Sequence, residues 1–259
     1  MASSEIEEVW TSSEYAPTAN RLAPIAVDIA RRALNATASG DTVVDLGAGH
    51  GHLAAELQPD SRHVVAIEPV ARMRDIGIKR FGNRIQWVAA TGESTSLPDQ
   101  SVGAIASNFG SMFCDPEAGP REWWRILRPG GSLIMSAWGV TGFLAEMTLV
   151  AQRVFMPGSA LPSHMRWGDE AVARDRLQSV GFADIAFERH TTTWNFGSVA
   201  QGMRYYLEGS PPTAYLVKLA GDRQMALLEA LEQHLREYAS PETGEVVTET
   251  DYVIITARR

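Results

Sequence analysis

The sequence predicts an α/β fold: one domain on a mostly parallel sheet, helices on both faces, and a helical insertion over one edge. Three observations carry this reading. Short apolar runs of β-forming residues recur between residues 41 and 139, helical stretches separate them, and the first run enters a glycine-rich turn at Gly47 to Gly51. Strands that are apolar throughout belong to a parallel sheet covered on both sides, and the intervening helices supply its crossovers. Such a sheet binds ligands beyond the carboxyl ends of its strands, near the switch in strand order. The chemistry is therefore expected just after Leu46, Ile67, Ala89, Ser107 and Trp138.

Each element is read from local pattern. Residues 1–40 read as a short acidic lead and then a helix opened by Pro24, with Ile25, Ile29 and Leu34 near helical spacing and Ser39-Gly40 as its stop. Thr42 to Leu46 is the first strand, His52 to Leu57 a short helix stopped before Pro59, and Val64 to Ile67 the second strand. A helix over residues 70–80 comes next, then strands at Ile85 to Ala89, Val102 to Ser107 and Ser132 to Trp138. Between the last two lies a helix from Pro116 to Leu127, closed by Arg128-Pro129-Gly130-Gly131.

After Trp138 the alternation breaks. Phe143, Met147, Val150 and Val154 mark an amphipathic helix, Pro157, Gly158 and Pro162 a turn-rich segment, and Asp169 the cap of a helix running to Val180. Residues 182–194 read as a strand, and 199–208 and 213–238 as helices. The second of these carries a stripe of Leu227, Leu228, Leu231, Leu235 and Tyr238, and Tyr252 to Thr256 is the last strand. The expected layout is an N-terminal lid and helix (1–40), a ligand-binding core (41–139), and a cap with the last strands (140–259), in a single domain.

Composition excludes several classes. The 259 residues hold 23 Lys and Arg against 31 Asp and Glu, a formal net charge of −8, which disfavours nucleic-acid and anionic-membrane partners. Hydrophobic residues are 45% and charged residues 21%, close to a folded globular chain rather than a disordered one. No run approaches the ~18 apolar residues of a membrane span, and the acidic start is unlike a signal peptide. The single cysteine, Cys114, excludes an internal disulfide and a multi-cysteine metal cage, and fits a reducing cytoplasm.

The sharpest motif is Val43-Val44-Asp45-Leu46-Gly47-Ala48-Gly49-His50-Gly51. A strand runs through three glycines into a helix, so the backbone can approach a ligand closely. Dinucleotide-binding Rossmann turns also use glycines here, but with G-x-G-x-x-G spacing that makes room for a pyrophosphate. Here the spacing is G-x-G-x-G, and Asp45 places a carboxylate that would repel a pyrophosphate and suits a cofactor with a sulfonium or ammonium group. Glu68, ending the next strand, can accept both hydroxyls of a ribose. That indicates a nucleoside without distinguishing a nicotinamide dinucleotide from S-adenosylmethionine. His50 and His52 flank Gly51 without a partner Cys or carboxylate cluster, so no metal is expected.

The ordered motifs resemble class I S-adenosylmethionine-dependent methyltransferases, in the branch of quinone-biosynthesis and other small-molecule enzymes (methyltransferase type 11). The glycine turn is similar to the family's first motif and Glu68-Pro69-Val70-Ala71-Arg72-Met73 to its acidic second motif. Ala90-Thr91-Gly92-Glu93 through Ile105 resembles the adenine loop and fourth strand. Ser107-Asn108-Phe109-Gly110-Ser111-Met112-Phe113 and Asp115-Pro116-Glu117-Ala118 resemble the loop after that strand. Arg125 to Gly131 is similar to the turn into the fifth strand, and Trp167-Gly168-Asp169 and Asp251 to Ile255 extend the match over nearly the whole chain. Two positions depart from the family: Thr91 stands where many relatives have Asp, and Gly103 where an Asp is common.

The resemblance implies a Rossmann-like seven-stranded sheet, S-adenosylmethionine as cofactor and S-adenosylhomocysteine as product. It implies cofactor contacts from Asp45, Gly47, Ala48, Gly49, Gly51, Glu68, Pro69, Met73, Thr91, Gly92, Glu93, Asn108, Phe109 and Met112. Substrate contacts are expected from Tyr15, Trp138, His164, Trp167 and Tyr205, with Trp10 and Tyr206 nearby; His164 or Tyr15 is the candidate base. Cys114 lacks the Pro-Cys context of a methylating nucleophile, and Trp123 and Trp124 are expected to pack on the sheet. The acceptor is expected to be a small molecule rather than nucleic acid, and the protein a monomer or homodimer without membrane insertion. The rival readings are a non-catalytic cofactor-binding module and a nicotinamide-dependent oxidoreductase.

Overall fold

The structure, a computed structural model, describes residues 3–58 and 63–259. Met1 and Ala2, part of the acidic start, and Pro59, the expected helix stop, lie outside the described residues. The core alternates as expected: β1 (Thr42–Leu46), α3 (His52–Glu56), β2 (His63–Ile67), α4 (Ala71–Phe81), β3 (Gln86–Val88), β4 (Val102–Asn108), α5 (Ala118–Ile126) and β5 (Leu127–Trp138). Two helices precede it, α1 (Ser3–Trp10) and α2 (Ala16–Asn35). After it come α6 (Gly142–Phe155), α7 (Glu170–Gln178), β6 (Ala183–Ser198), α8 (Val199–Glu208), α9 (Pro211–Leu219), α10 (Gln224–Glu237) and β7 (Glu245–Arg258).

The seven strands form one sheet in the order β3-β2-β1-β4-β5-β7-β6, parallel from β3 to β5, with β7 antiparallel to both of its neighbours. The chain winds outward from β1 on one side and from β4 on the other. The border between β1 and β4 is therefore the switch point, where the loops after two adjacent strands diverge and leave a crevice. Val43, Val44, Leu46, Ile105 and Leu133 have no solvent exposure, the burial that continuous apolar strands require. Full burial of each such side chain contributes roughly 1.5–3 kcal/mol before chain entropy.

Three local expectations are corrected. Pro24 does not open a helix but lies inside α2, whose first turn carries Pro17. An interior proline costs ~3 kcal/mol. Here a stripe of Ala19, Leu22, Ile25, Ala26, Ile29, Ala30 and Ala33, all buried, runs past it and outweighs that cost. The helix expected over 213–238 is two helices, because Gly221 adopts φ +52° and breaks it. Finally, β6 and β7 are longer than expected and form an antiparallel ribbon from Ala183 and Arg258 out to Ser198 and Glu245. The outer half of β7 alternates, with Val246, Thr248 and Thr250 buried between exposed glutamates and Val247, so it lacks the all-apolar signature of the inner strands.

Asp169 does cap α7, its carboxylate accepting the Ala171 and Val172 N–H groups at 3.0 and 3.3 Å. Among the described residues no helix is long and apolar enough to cross a membrane.

Candidate active site

At the end of β1 the backbone turns through Gly47, Gly49 and Gly51, with φ of +71°, +54° and +81°. These left-handed conformations favour glycine. Gly47 has a second constraint: a Cβ there would lie 2.7 Å from the Cα of Gly110, in the loop after β4. The two loops at the switch point thus touch backbone to backbone. Gly47 and Ala48 donate to the Ile67 carbonyl at 2.9 and 3.0 Å, which ties the turn to the end of β2.

The Glu68 carboxylate locks this junction. It accepts the Gly49 N–H at 2.7 Å and the Val70 N–H at 2.9 Å. Each oxygen keeps lone pairs for further donors. Burial pushes its pKa up to about 7, with the two backbone donors opposing that rise. Asp45 is also buried and pushed up to about 8, again by desolvation, but its carboxylate turns to the Ala54 N–H at 2.8 Å.

The loop after β4 is held by polar side chains. Ser107 donates to the Leu46 carbonyl at 2.6 Å and accepts the Ser111 N–H at 2.8 Å. Asn108 donates to Leu22 in α2 at 3.0 Å and accepts the Ser136 hydroxyl at 3.0 Å, while Ser136 accepts the Phe109 N–H at 3.0 Å. Phe109 sits at φ +63°, a conformation a bulky residue holds only when its surroundings impose it. Its ring stacks on Trp138, centroids 3.9 Å apart. Beyond β3, the Trp123 indole donates to the Gly92 carbonyl at 2.9 Å and Glu93 accepts the Asp115 N–H at 2.6 Å. A buried tryptophan expected only to pack on the sheet therefore also braces the Thr91-Gly92-Glu93 loop.

These parts open onto one cavity of about 1390 Å³, mouth included. Its wall includes Gly47, Gly49, Glu68, Pro69, Met73, Thr91, Gly92, Glu93, Asn108 and Phe109 from the expected cofactor set. The expected contacts Asp45, Ala48, Gly51 and Met112 are not on that wall. Asp45 faces α3, Ala48 packs against the core, and Met112 has no exposure at all. Gly51 backs onto Trp87, whose ring would lie 2.8 Å from a Cβ at that position.

Of the expected substrate residues, Tyr15, Trp138, His164 and Tyr205 line the cavity. Trp167 does not: it is fully buried against Trp123, centroids 5.8 Å apart, with the Arg176 guanidinium over its ring. Trp10 and Tyr206 do line it, as do unforeseen residues, among them Phe113, Leu144, Met147, Trp194 and Thr213. For Trp194 a signal existed: Thr193-Trp194-Asn195-Phe196 alternates polar and aromatic, and the structure buries only the two rings.

The titratable groups facing the cap are neutral at ordinary pH. His164 stacks on Phe113, centroids 5.1 Å apart, and burial pushes its pKa down to about 4. Tyr15 is held far above its ordinary value by burial and by the nearby Glu68 charge. Tyr205 is raised by burial and shares a 2.5 Å hydrogen bond with Thr18. Cys114 lines the cavity with its thiol raised by burial. His50 packs edge-on against Tyr15 and His52 meets Arg80 at 2.9 Å.

A mostly parallel sheet with a glycine turn at its switch point and a buried carboxylate at the end of the neighbouring strand defines an α/β protein with a cavity beyond its strand ends. Comparison narrows the class. Residues 44–135 match the family described as a methyltransferase domain, type 11. The chain is 25% identical to an uncharacterised protein of Mycobacterium tuberculosis over 97% of this chain and 93% of that one. It is 27% identical to the demethylmenaquinone methyltransferase of Clavibacter sepedonicus over 168 residues, 58% of this chain and 69% of that one. In fold it resembles the crystal structure of the YcgJ protein of Bacillus subtilis, with a TM-score of 0.61 and 17% identity over 89% of this chain and 97% of that one. Residues 44–135 therefore carry an S-adenosylmethionine-dependent methyltransferase domain of the type 11 family, and the chain around them shares the fold of the solved structure.

Proposed function

We propose that this methyltransferase acts on a small organic molecule held between the strand ends of residues 41–139 and the cap within 140–259, under the lid of residues 1–40. One observation carries the proposal: a single cavity runs from Glu68 and Gly49 at the strand ends to Trp194, Tyr205 and Tyr206 in the later elements. In this reading Glu68 accepts the ribose hydroxyls, Met73 and Thr91 to Glu93 flank the adenine, and Gly47 and Gly49 let the backbone approach the rest of the cofactor. Tyr15 and Trp10, packed edge to face with centroids 5.6 Å apart, close the space from above.

When bound, S-adenosylmethionine supplies a methyl group already activated by its sulfonium. The chain's own contribution is orientation and exclusion of water, and orientation can supply roughly 7–11 kcal/mol of a barrier. His164, with its low pKa, is a weak base; its role in this reading is to hold the acceptor by a neutral hydrogen bond. A small acceptor is supported by the absence of Lys and Arg from the cavity wall among the described residues, since a nucleic acid rewards basic contacts. The single cysteine is consistent with a cytoplasmic enzyme.

The test is transfer of tritiated methyl from S-adenosylmethionine in an extract of the native cells. Label in a low-molecular-mass product that resists nuclease and protease supports the proposal; label confined to RNA, DNA or protein overturns it. A thermal shift separates the rival chemistry: S-adenosylhomocysteine at 100 times its dissociation constant stabilises by ~2.7 kcal/mol, and NAD(H) is expected to give no shift.

A further inference from the structure

We propose that Ser136 is a positioning residue for methyl transfer: held by Asn108 and holding the Phe109 backbone, its hydroxyl fixes the Phe109 ring in the wall between the strand ends and the cap. The proposal rests on the reading of this cavity as the methyl-transfer site, and goes beyond it by assigning a role to a side chain that reaches neither ligand.

The first observation is a chain of hydrogen bonds whose direction is fixed from end to end. It starts at the Leu22 carbonyl in α2, which can only accept, so Asn108 turns its Nδ2 donor there at 3.0 Å. Asn108 Oδ1, another atom that can only accept, then faces the Ser136 hydroxyl at 3.0 Å. Ser136 therefore spends its single proton on Asn108 and presents lone pairs to the Phe109 N–H, also at 3.0 Å. The parallel register of β4 and β5 sets Asn108 beside Ser136, so the sheet itself builds this relay. Ser136 has no solvent exposure and is not a wall residue of the cavity. Whatever it does for a ligand passes through Phe109.

The second observation is what the relay holds. Phe109 lies at φ +63°, in the left-handed region that a bulky side chain occupies only under constraint. It is 4% exposed, so removal of the Ser136 hydroxyl would strip a buried N–H of its partner, a state that folded proteins avoid. Ser136 and Trp138 stand two residues apart on β5 and leave the same face, one fixing the Phe109 backbone and the other stacking on its ring at 3.9 Å. Both rings line the cavity, and Trp138 meets Trp194 of β6 edge to face at 5.6 Å. On the other side, Gly110 packs against Gly47 in the glycine turn. The Phe109 ring thus stands between the turn assigned to the cofactor and the elements opposite, where an acceptor has to be aimed at the methyl group. The Ser107 bonds to Leu46 and Ser111 hold the rest of the loop and do not depend on Ser136, so its loss is felt locally, at Phe109. A misplacement of ~1 Å can cost on the order of 100-fold in rate.

The experiment compares wild type, Ser136→Ala, Phe109→Ala and the double variant in transfer of tritiated methyl from S-adenosylmethionine. The acceptor probe is the low-molecular-mass fraction of an extract of the native cells, varied in amount at saturating cofactor. Ser136→Ala should lower the limiting rate at least about tenfold. The amount of probe giving half that rate should change less than about threefold, and S-adenosylhomocysteine affinity less than about twofold, a split that a merely structural defect would not give. Phe109→Ala should show the same loss, and the double variant no more than either single one, because the two residues act as a unit. Ser136→Cys keeps the shape of this buried site with a weaker hydrogen-bonding atom. It should lose a smaller part of the limiting rate, and it carries the comparison if Ser136→Ala does not bind S-adenosylhomocysteine. An unmoved limiting rate, an equal loss of S-adenosylhomocysteine affinity, or losses that multiply in the double variant overturns the proposal. Wild-type protein that binds S-adenosylhomocysteine but labels nothing in this fraction instead defeats the underlying reading of the site.

Discussion

The two halves of the cavity are built by opposite means. The strand-end half uses backbone and carboxylates: three left-handed glycines, the Glu68 clamp on Gly49 and Val70, and a hydroxyl and amide network under Phe109. The opposite half uses mostly rings and aliphatic side chains drawn from α1, α2, α6, β6, α8 and α9, with the Thr18, Thr148 and Thr213 hydroxyls and, among the described residues, no charge from these elements. Polar groups with fixed geometry suit a ligand that does not change. An apolar wall recruited from segments far apart in the chain can be reshaped residue by residue while the glycine turn and its clamp stay in place.

That contrast can be broken in order of expected effect. Gly47→Ala should destabilise the fold most, since it combines left-handed strain of ~1–3 kcal/mol with a clash on Gly110 worth ~1–3 kcal/mol. Urea unfolding within 0.5 kcal/mol of wild type, roughly the size of a neutral surface change, would show that the two loops are not in rigid contact. Next, Glu68→Ala should weaken S-adenosylhomocysteine at least about tenfold, from hydrogen bonds to a charged group worth ~1.5–3 kcal/mol each. Calorimetry giving an unchanged dissociation constant would remove the ribose role.

Trp138→Leu probes the seam, because its ring stacks on Phe109 and meets Trp194 edge to face. Loss of aromatic pairing at ~0.5–1.5 kcal/mol should weaken acceptor-probe binding by about threefold to tenfold while cofactor affinity stays within about twofold. Equal losses for both ligands would mean the halves are one unit.

A smaller effect comes from protonation. Glu68 titrates near 7 in the free protein. Ribose hydroxyls donate to the carboxylate, so binding favours the charged form, lowers that pKa and releases a proton. Cofactor affinity should therefore rise as pH increases toward about 7 and level off above it, with Glu68→Gln flattening the slope. A slope of the opposite sign in calorimetry would contradict the assignment. The smallest change is expected from His164→Phe: with a pKa near 4, the imidazole is neutral throughout the working range. The variant should lower turnover modestly and leave the pH profile between about 6 and 9 unmoved. A lost ionisation in that window would restore His164 as the base.

The sheet was legible because its strands are buried on both faces and its helices are short and punctuated, so each element carries its own signal. Glu68, Gly47 and Phe109 were legible for the same reason: they sit within a few residues of a strand end, where the chain itself dictates what the residue faces. The errors share a cause. Pro24 inside α2, Trp167 against Trp123, and Met112 in the core are decided by what packs on them, and nothing in a window of ten residues states it. Trp194 reaches the cavity because the β6–β7 ribbon runs on past the end of β5 before β6 turns into α8.

By itself, then, the sequence determined the fold class and the cofactor chemistry, since both depend on short-range periodicity and on motifs fixed relative to a strand terminus. Only the tertiary structure decided which of the many aromatic residues wall the cavity and that Asp45 turns away from it. Those depend on contacts between segments far apart in the chain, whose register is set by packing across the whole molecule.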